Sequence, residues 1–399
     1  AINAADAGDT INIAAGTFIE QPLITKNLTL AGAGSATIIK APATLALRFT
    51  TNYPQFPVLA VTGANVTVRD LVIDGDGRGN SAYRFNGIGY YNAGGAIIST
   101  EIKGVRETPF NGNQHGVAIY AYLTDGSTRN LVIRNNYIHD FQKNAMAINS
   151  GGASVLTVQI VGNRIEGAGA TAITAQNGIQ VYRASGTLDG YIDSNFVTGI
   201  AYTGAGWVAT SILNWNADVD VSNNIVTNSH VGVYNYDAQG AIANNKLDVI
   251  KAGMGAWGII ATDPPYAVPS PYEAPFAEDV AAAGADSVGA ASATEMLVNV
   301  SGNVVTFSGP DNTATYGIEG DAGYGPRSVN ITADHNIVTG FEVGLEFYQC
   351  TGASCFSSVF TGISANHNNI AGNTIGMRSN ASYLTANGEN NWWGAANGP

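Results

Sequence analysis

The feature that most constrains this chain is a short phrase stated at least eight times: alternating apolar residues, a polar residue, Asn, any residue, then an aliphatic. LVIRNNYI (131–138) returns as VQIVGNRI (158–165), then as GYIDSNFV, VDVSNNIV, GAIANNKL, VNVSGNVV, ITADHNIV and ISANHNNI, with a variant, GENNWW, near residue 390. The repeated residue falls at Asn136, Asn163, Asn195, Asn224, Asn245, Asn303, Asn336 and Asn368, with Asn391 in the variant. The return takes about 20 to 35 residues except between Asn245 and Asn303, so the period is that of a repeat architecture with loops of varying length. A short alternating strand, a corner containing Asn and a return at this period predict the coil of a parallel β-solenoid. Asn suits the corner because it tolerates a left-handed backbone and because its amide can bond to the same amide one coil above and below.

The pattern resembles the right-handed parallel β-helix repeat proteins, the architecture of pectate-lyase-like enzymes, phage tailspikes and bacterial surface proteins of adhesin type. The resemblance runs from GDTINIAAGTFIEQ (8–21) to NNWWGAANGP (390–399). It implies an all-β fold, a single right-handed solenoid over 1–399 of about twelve or thirteen coils. It is specific for fold and says little about function, because lyases, hydrolases, adhesins and structural proteins share it.

Composition narrows the partners. Charged residues are only 12% of the chain and glycines number 49, which suits closely stacked flat sheets; 17 basic against 30 acidic residues give a net charge of −13, which argues against nucleic acid. No run of 18 apolar residues occurs, so no membrane-spanning segment is expected, and the first residues lack the pattern of a signal segment. Cys350 and Cys355, in QCTGASC, are the only cysteines. Either they close a local disulfide, which fits an oxidising, extracellular setting at the cell surface, or they are two free thiols.

Along the chain, residues 1–7 read as the last turns of a short helix. Residues 74–114, rich in Gly, Asn, Tyr and Arg, read as long loops that interrupt the coils. Residues 262–296, with five of the thirteen prolines and an Ala-rich tail, read as an excursion that ends in a short helix. Trp392 and Trp393 are expected to cover the apolar end of the last coil. With no long amphipathic cap at either end, end-to-end stacking on another copy or on further domains is expected; a capping role for the excursion is the competing explanation.

For chemistry, ten of the seventeen basic residues lie between 69 and 183. Lyases on this fold need a base and a cation that neutralises a uronate, and hydrolases need carboxylates facing a groove. The catalytic candidates are therefore Lys103, Arg106, His115, Asp74, Asp76 and Glu101, with Tyr83, Tyr90, Tyr91, Tyr120 and Tyr122 as candidates for stacking on sugar rings. The IDGDG stretch (73–77) reads more readily as a turn than as a carboxylate pair. His335 and His367, at equivalent places one coil apart, read as a stacked surface pair and not as a metal site, since two ligands are too few. Asp311, Glu319 and Asp321 are candidate ligands for Ca²⁺; no other cofactor is expected. The expected function is an extracellular surface protein with a structural or adhesive role, self-associating end to end or binding glycans. The alternative is a polysaccharide lyase or glycoside hydrolase working along the 69–183 face.

Overall fold

A computed structural model describes residues 1–263, 295–352 and 355–394 of the chain. They divide into two compact units, one of Ala1–Ala168 with Gln176–Tyr191, the other of Gly169–Ala175 with 192–263 and 295–394. Among the described residues the regular structure is strand, apart from two 3₁₀ turns at Gly34–Ala36 and Arg78–Ser81. The expected excursion lies outside the described residues except at its edges, where Thr262 ends one strand and Glu295 and Met296 open the next.

In each unit the chain visits three sheets in turn. In the first unit Val117–Leu123 lies in sheet one, Thr128–Arg134 in sheet two and Tyr137–His139 in sheet three. The next strand, Asn144–Ser150, returns parallel to Val117–Leu123, with Ile119 opposite Met146 and Ala121 opposite Ile148. The second unit repeats this order through Ala256–Thr262, Glu295–Ser301, Val304–Phe307, Thr315–Ala322, Ser328–Asp334, Ile337–Thr339 and Val343–Gln349. The chain is a parallel β-solenoid, and the all-parallel sheets fit the right-handed β-helix of the pectate-lyase-like type. The antiparallel pair among the described strands is Phe49–Thr50 with Pro54–Thr62.

Alternation decides which residues go inside. Val226, Leu247, Val305 and Val338 stand opposite one another on successive rungs of sheet three, all at 0–1% exposure. Burying such a side chain stabilises by roughly 1.5–3 kcal/mol, so each rung adds its own share of core. At two glycines of sheet-one strands the core leaves no room for a side chain: a Cβ on Gly258 would lie 2.1 Å from Val305 Cγ1, and one on Gly317 2.1 Å from Val338 Cγ1.

The corner between sheets two and three divides its work between two residues. The repeated Asn itself is not left-handed. The residue before it is: Asn135, Ser194, Asn223, Asn244, His335 and His367 have φ of 55–57°, and Gly162 and Gly302 have φ of 65° and 66°. The repeated Asn instead turns its amide inward and is buried. Asn245 shows the pattern: its Nδ2 donates to Val221 O at 2.9 Å and to Asn303 Oδ1 at 3.0 Å, while its Oδ1 accepts from Asn224 N and Nδ2, both at 2.9 Å. The same bonds join Asn136 to Asn163 in the first unit and run from Asn195 to Asn391 in the second. Thr100 occupies the position one rung before Asn136, and its N–H donates to Asn136 Oδ1 at 3.0 Å.

Three expectations are corrected. Residues 1–7 form turns, with Ala4 N and Ala5 N both donating to Ala1 O; so short a segment does not meet the cost of helix nucleation. Residues 74–114 are not all loop, since Phe85–Tyr91, Gly94–Ile98 and Glu101–Lys103 make a full rung. Its glycines and tyrosines hide the aliphatic alternation, and Tyr90 fills the core position with its hydroxyl bonded to Val66 O at 2.8 Å. Of the two tryptophans, Trp393 packs over Gly376, whereas Trp392 is 49% exposed.

The division of labour at the corner predicts opposite outcomes for adjacent residues. Asn245→Ala leaves two buried donors of Asn224 without their acceptor and should cost about 2–6 kcal/mol, at roughly 1–3 kcal/mol per orphaned group. Asn244→Gly, at the left-handed position, should leave the urea midpoint within the error of the wild type.

Candidate functional site

The residues singled out between 69 and 183 do not converge. Asp74 and Asp76 form a turn: Asp74 Oδ1 accepts from Asp76 N at 2.8 Å, and Asp76 is neutralised by Lys40 and Arg78, each at 2.8 Å. Glu101 pairs with Lys103 at 2.8 Å and His139 at 3.2 Å, and Arg106 pairs with Asp140 at 2.5 Å. These are side-chain pairs at the edge and outer side of sheet three.

The tyrosines are mostly engaged in packing. Tyr90 points into the core. Tyr91 and Tyr120 stack on Phe49, with ring centroids 5.1 and 6.3 Å apart, and Tyr122 packs against the same cluster. Phe49 reaches them from the antiparallel pair, a placement that no repeat pattern signals. Tyr83 is 49% exposed and meets His115 edge-on at 3.9 Å. Burial, helped by Arg84 and Lys143, pushes His115 down to about 3, and burial alone brings Lys143 down to about 7. Both are shut away, at 4% and 1% exposure.

Acidic side chains gather instead on the outer face of sheet one in the second unit. In Thr315–Ala322 the alternation sends Ile318, Gly320 and Ala322 inward and leaves Glu319 and Asp321 outward and half-buried. The parallel register sets Glu319 between Ile260 and Glu346, and Asp321 between Thr262 and Tyr348. Glu346 is ion-paired with Arg378, whose Nε lies 2.7 Å from Oε2. Trp257 Nε1 donates to Glu319 Oε2 at 2.8 Å, and the Trp257 ring stacks on Tyr316, the next rung's residue, at 5.8 Å. Asp263 accepts from Ser358 Oγ at 3.0 Å and from Tyr324 N and Gly325 N at 3.3 and 3.2 Å. Tyr324 and Tyr348 are both exposed and stack at 6.2 Å.

Crowding acids in this way makes them hold protons. Burial and the negative charge of Glu346 raise Glu319. Burial and the charges of Glu319, Asp263 and Glu346 raise Asp321 well above the usual carboxylate range, and it is hydrogen-bonded to Glu319. Burial pushes Asp263 up to about 7 against its hydrogen-bond donors. The face therefore sets a carboxylate paired with a guanidinium beside a carboxyl pair that retains a proton, the separation of states that acid–base chemistry uses.

Asp311 is not part of this set. It is exposed and bound to Lys251 Nζ at 2.7 Å. Asp311, Glu319 and Asp321 do not form a group of three ligand atoms within 4.8 Å; among the described residues Asp334, His335 and His367 do. Cys350 and Cys355 are joined as a disulfide, with Cα atoms 5.7 Å apart. No helix among the described residues is long and apolar enough to cross a membrane.

Fold and site together define a parallel β-helix protein with an acidic, aromatic-flanked patch on one sheet face. No protein-family model matches the chain. No curated protein matches it. Among solved structures it is similar to the Dettilon tailspike protein, at 12% identity and a TM-score of 0.36, covering 88% of this chain and 61% of that one. A GH136 lacto-N-biosidase from Eubacterium ramulus gives 9% and 0.35, covering 91% and 62%. A mannuronan C-5 epimerase A-module from Azotobacter vinelandii gives 14% and 0.35, covering 98% and 90%. The chain spans about three fifths of the length of the first two.

Asp263 makes a contribution to stability that falls as pH rises. Asp263 keeps its proton up to about 7 when folded, while an unfolded Asp releases it near 4, so between these values the folded state binds the extra proton. This contribution should be lost as pH rises from about 4 to about 7, while the buried His115 and His230, held below the usual imidazole range, act in the opposite sense. The difference in unfolding temperature between wild type and Asp263→Asn, read by thermal scans, should therefore move against the wild type as pH rises across the interval.

Proposed function

We propose that the second unit hydrolyses glycosidic bonds of a neutral glycan on the outer face of sheet one. The observation that carries this reading is the juxtaposition of Glu319, Asp321 and Glu346 beside the Trp257–Tyr316 and Tyr324–Tyr348 stacks. The proton held between Asp321 and Glu319 serves a general acid that protonates the departing oxygen. Glu346, buried and kept as an ion pair by Arg378, is the carboxylate that stabilises the positive charge developing on the sugar ring as water attacks. The tyrosine and tryptophan faces offer the apolar surface on which sugar rings stack.

The charge pattern favours hydrolysis over elimination. A lyase needs a cation for the uronate and a base for its α-proton, but Arg378 is already engaged by Glu346, and Lys143, in the first unit, is buried. A dense acidic patch would also repel a polyanion. The disulfide between Cys350 and Cys355 supports an extracellular setting. A surface role in glycan adhesion remains the second reading, favoured by the exposed Tyr324–Tyr348 pair, and it requires binding without turnover.

The test is release of reducing ends from a panel of neutral oligosaccharides and polysaccharides. Glu319→Gln and Asp321→Asn should each lower kcat by about 10²–10⁴ while binding measured by calorimetry is retained. Wild-type activity should decline on the alkaline side as the shared proton is lost. Binding with no turnover at any pH would favour adhesion; unaltered turnover in both variants would sink the assignment.

A further inference from the structure

The corner between sheets two and three in the second unit carries a different chemistry. Asp334 is the last residue of Ser328–Asp334, and His335 follows it at the left-handed position. One rung on, His367 occupies the same position. The rings stack with centroids 4.9 Å apart and planes 24° apart, the spacing that successive rungs impose. Asp334 lies against both: its Oδ2 is 2.7 Å from His335 Nδ1 and its Oδ1 is 3.0 Å from His367 Nδ1. The third donor that the two histidines lack in sequence is thus provided by the residue beside the first of them.

We propose that Asp334, His335 and His367 bind a divalent first-row transition ion of the Zn²⁺ type. Ligands about 2.0–2.2 Å from such an ion, at neighbouring vertices of its coordination sphere, lie roughly 3 Å apart, so the spacings that now suit hydrogen bonds also suit coordination. Two imidazoles and one carboxylate favour Zn²⁺, Ni²⁺ or Cu²⁺ over Ca²⁺ or Mg²⁺, which take oxygen ligands. A further observation points the same way. Asn366, which stands opposite Asp334 in the register, has a buried Oδ1 with no hydrogen-bond partner, while its Nδ2 donates to Ser364 Oγ at 2.8 Å. That leaves an unused oxygen in the rung beside the aspartate. The buried ladder bond from Asn336 to Asn368 fixes the register of the two histidines, so the donor set is preorganised. Both imidazoles are exposed, which gives an ion direct access and leaves its remaining positions to water.

The site is separate from the carboxylates of sheet one, and its test does not depend on catalysis. Calorimetric titration of the tag-free full chain with Zn²⁺ should show one saturable site, with no comparable heat from Ca²⁺. The double variant His335→Asn/His367→Asn should lose at least tenfold in affinity. Asn occupies the equivalent corner positions at Asn223 and Asn244, so the double variant keeps a compatible backbone. Asp334→Asn, which leaves both corners untouched, should also weaken the site. Co²⁺ bound to the wild type should give a visible absorption band that the double variant lacks. Absence of saturable Zn²⁺ uptake, or uptake unaltered in the double variant, would overturn the proposal.

Discussion

The buried amide ladder is the interaction on which the rest of the structure depends. A primary amide has two donor hydrogens and an acceptor oxygen, and at Asn245 each is satisfied within the protein. Within a water-excluded interior an unmet amide is expensive, so only Asn at the same height in the next rung completes the pattern. This locks the register between rungs. It also fixes which residues of each strand face inward, since a slip of one residue would exchange core and surface.

The fold was legible because the ladder writes itself into the sequence once per rung. The two-residue character of the corner was less legible, since Asn135, Asn223 and Asn244 precede their ladder neighbours and the two roles look alike in one-letter code. The rung made by Phe85–Tyr91 and its successors was obscured for a different reason: Tyr90 fills a position that Val61, Ala121 and Ile148 fill on neighbouring rungs. Phe49 had no signature, because its contacts with Tyr91 and Tyr120 arise from an antiparallel turn outside the repeat.

The acidic patch was half legible. Glu319 and Asp321 stood out as neighbours, but grouping them with Asp311 by proximity in sequence joined residues that the fold separates, and Glu346 comes from the following rung. In a solenoid the neighbours of a side chain are found one period away. The count of basic residues between 69 and 183 does not reveal that Arg78, Lys103 and Arg106 are each neutralised by a nearby acid. The two corner histidines were correctly seen as stacked, while Asp334 as their shared partner depended on side-chain geometry that spacing does not reveal.

The separation of roles at the corner has a consequence for how such a chain can vary. The left-handed residue accepts Asn, Ser, Gly or His with almost the same backbone angle, and its side chain bears no part of the ladder. Neighbouring positions in one tripeptide are thus under unlike constraints, one nearly invariant in chemistry and the other open. The open positions form a row of attachment points at a fixed pitch, so a chemical group placed there on two successive rungs is automatically paired. New surface chemistry can arise along that row without renegotiating the interior.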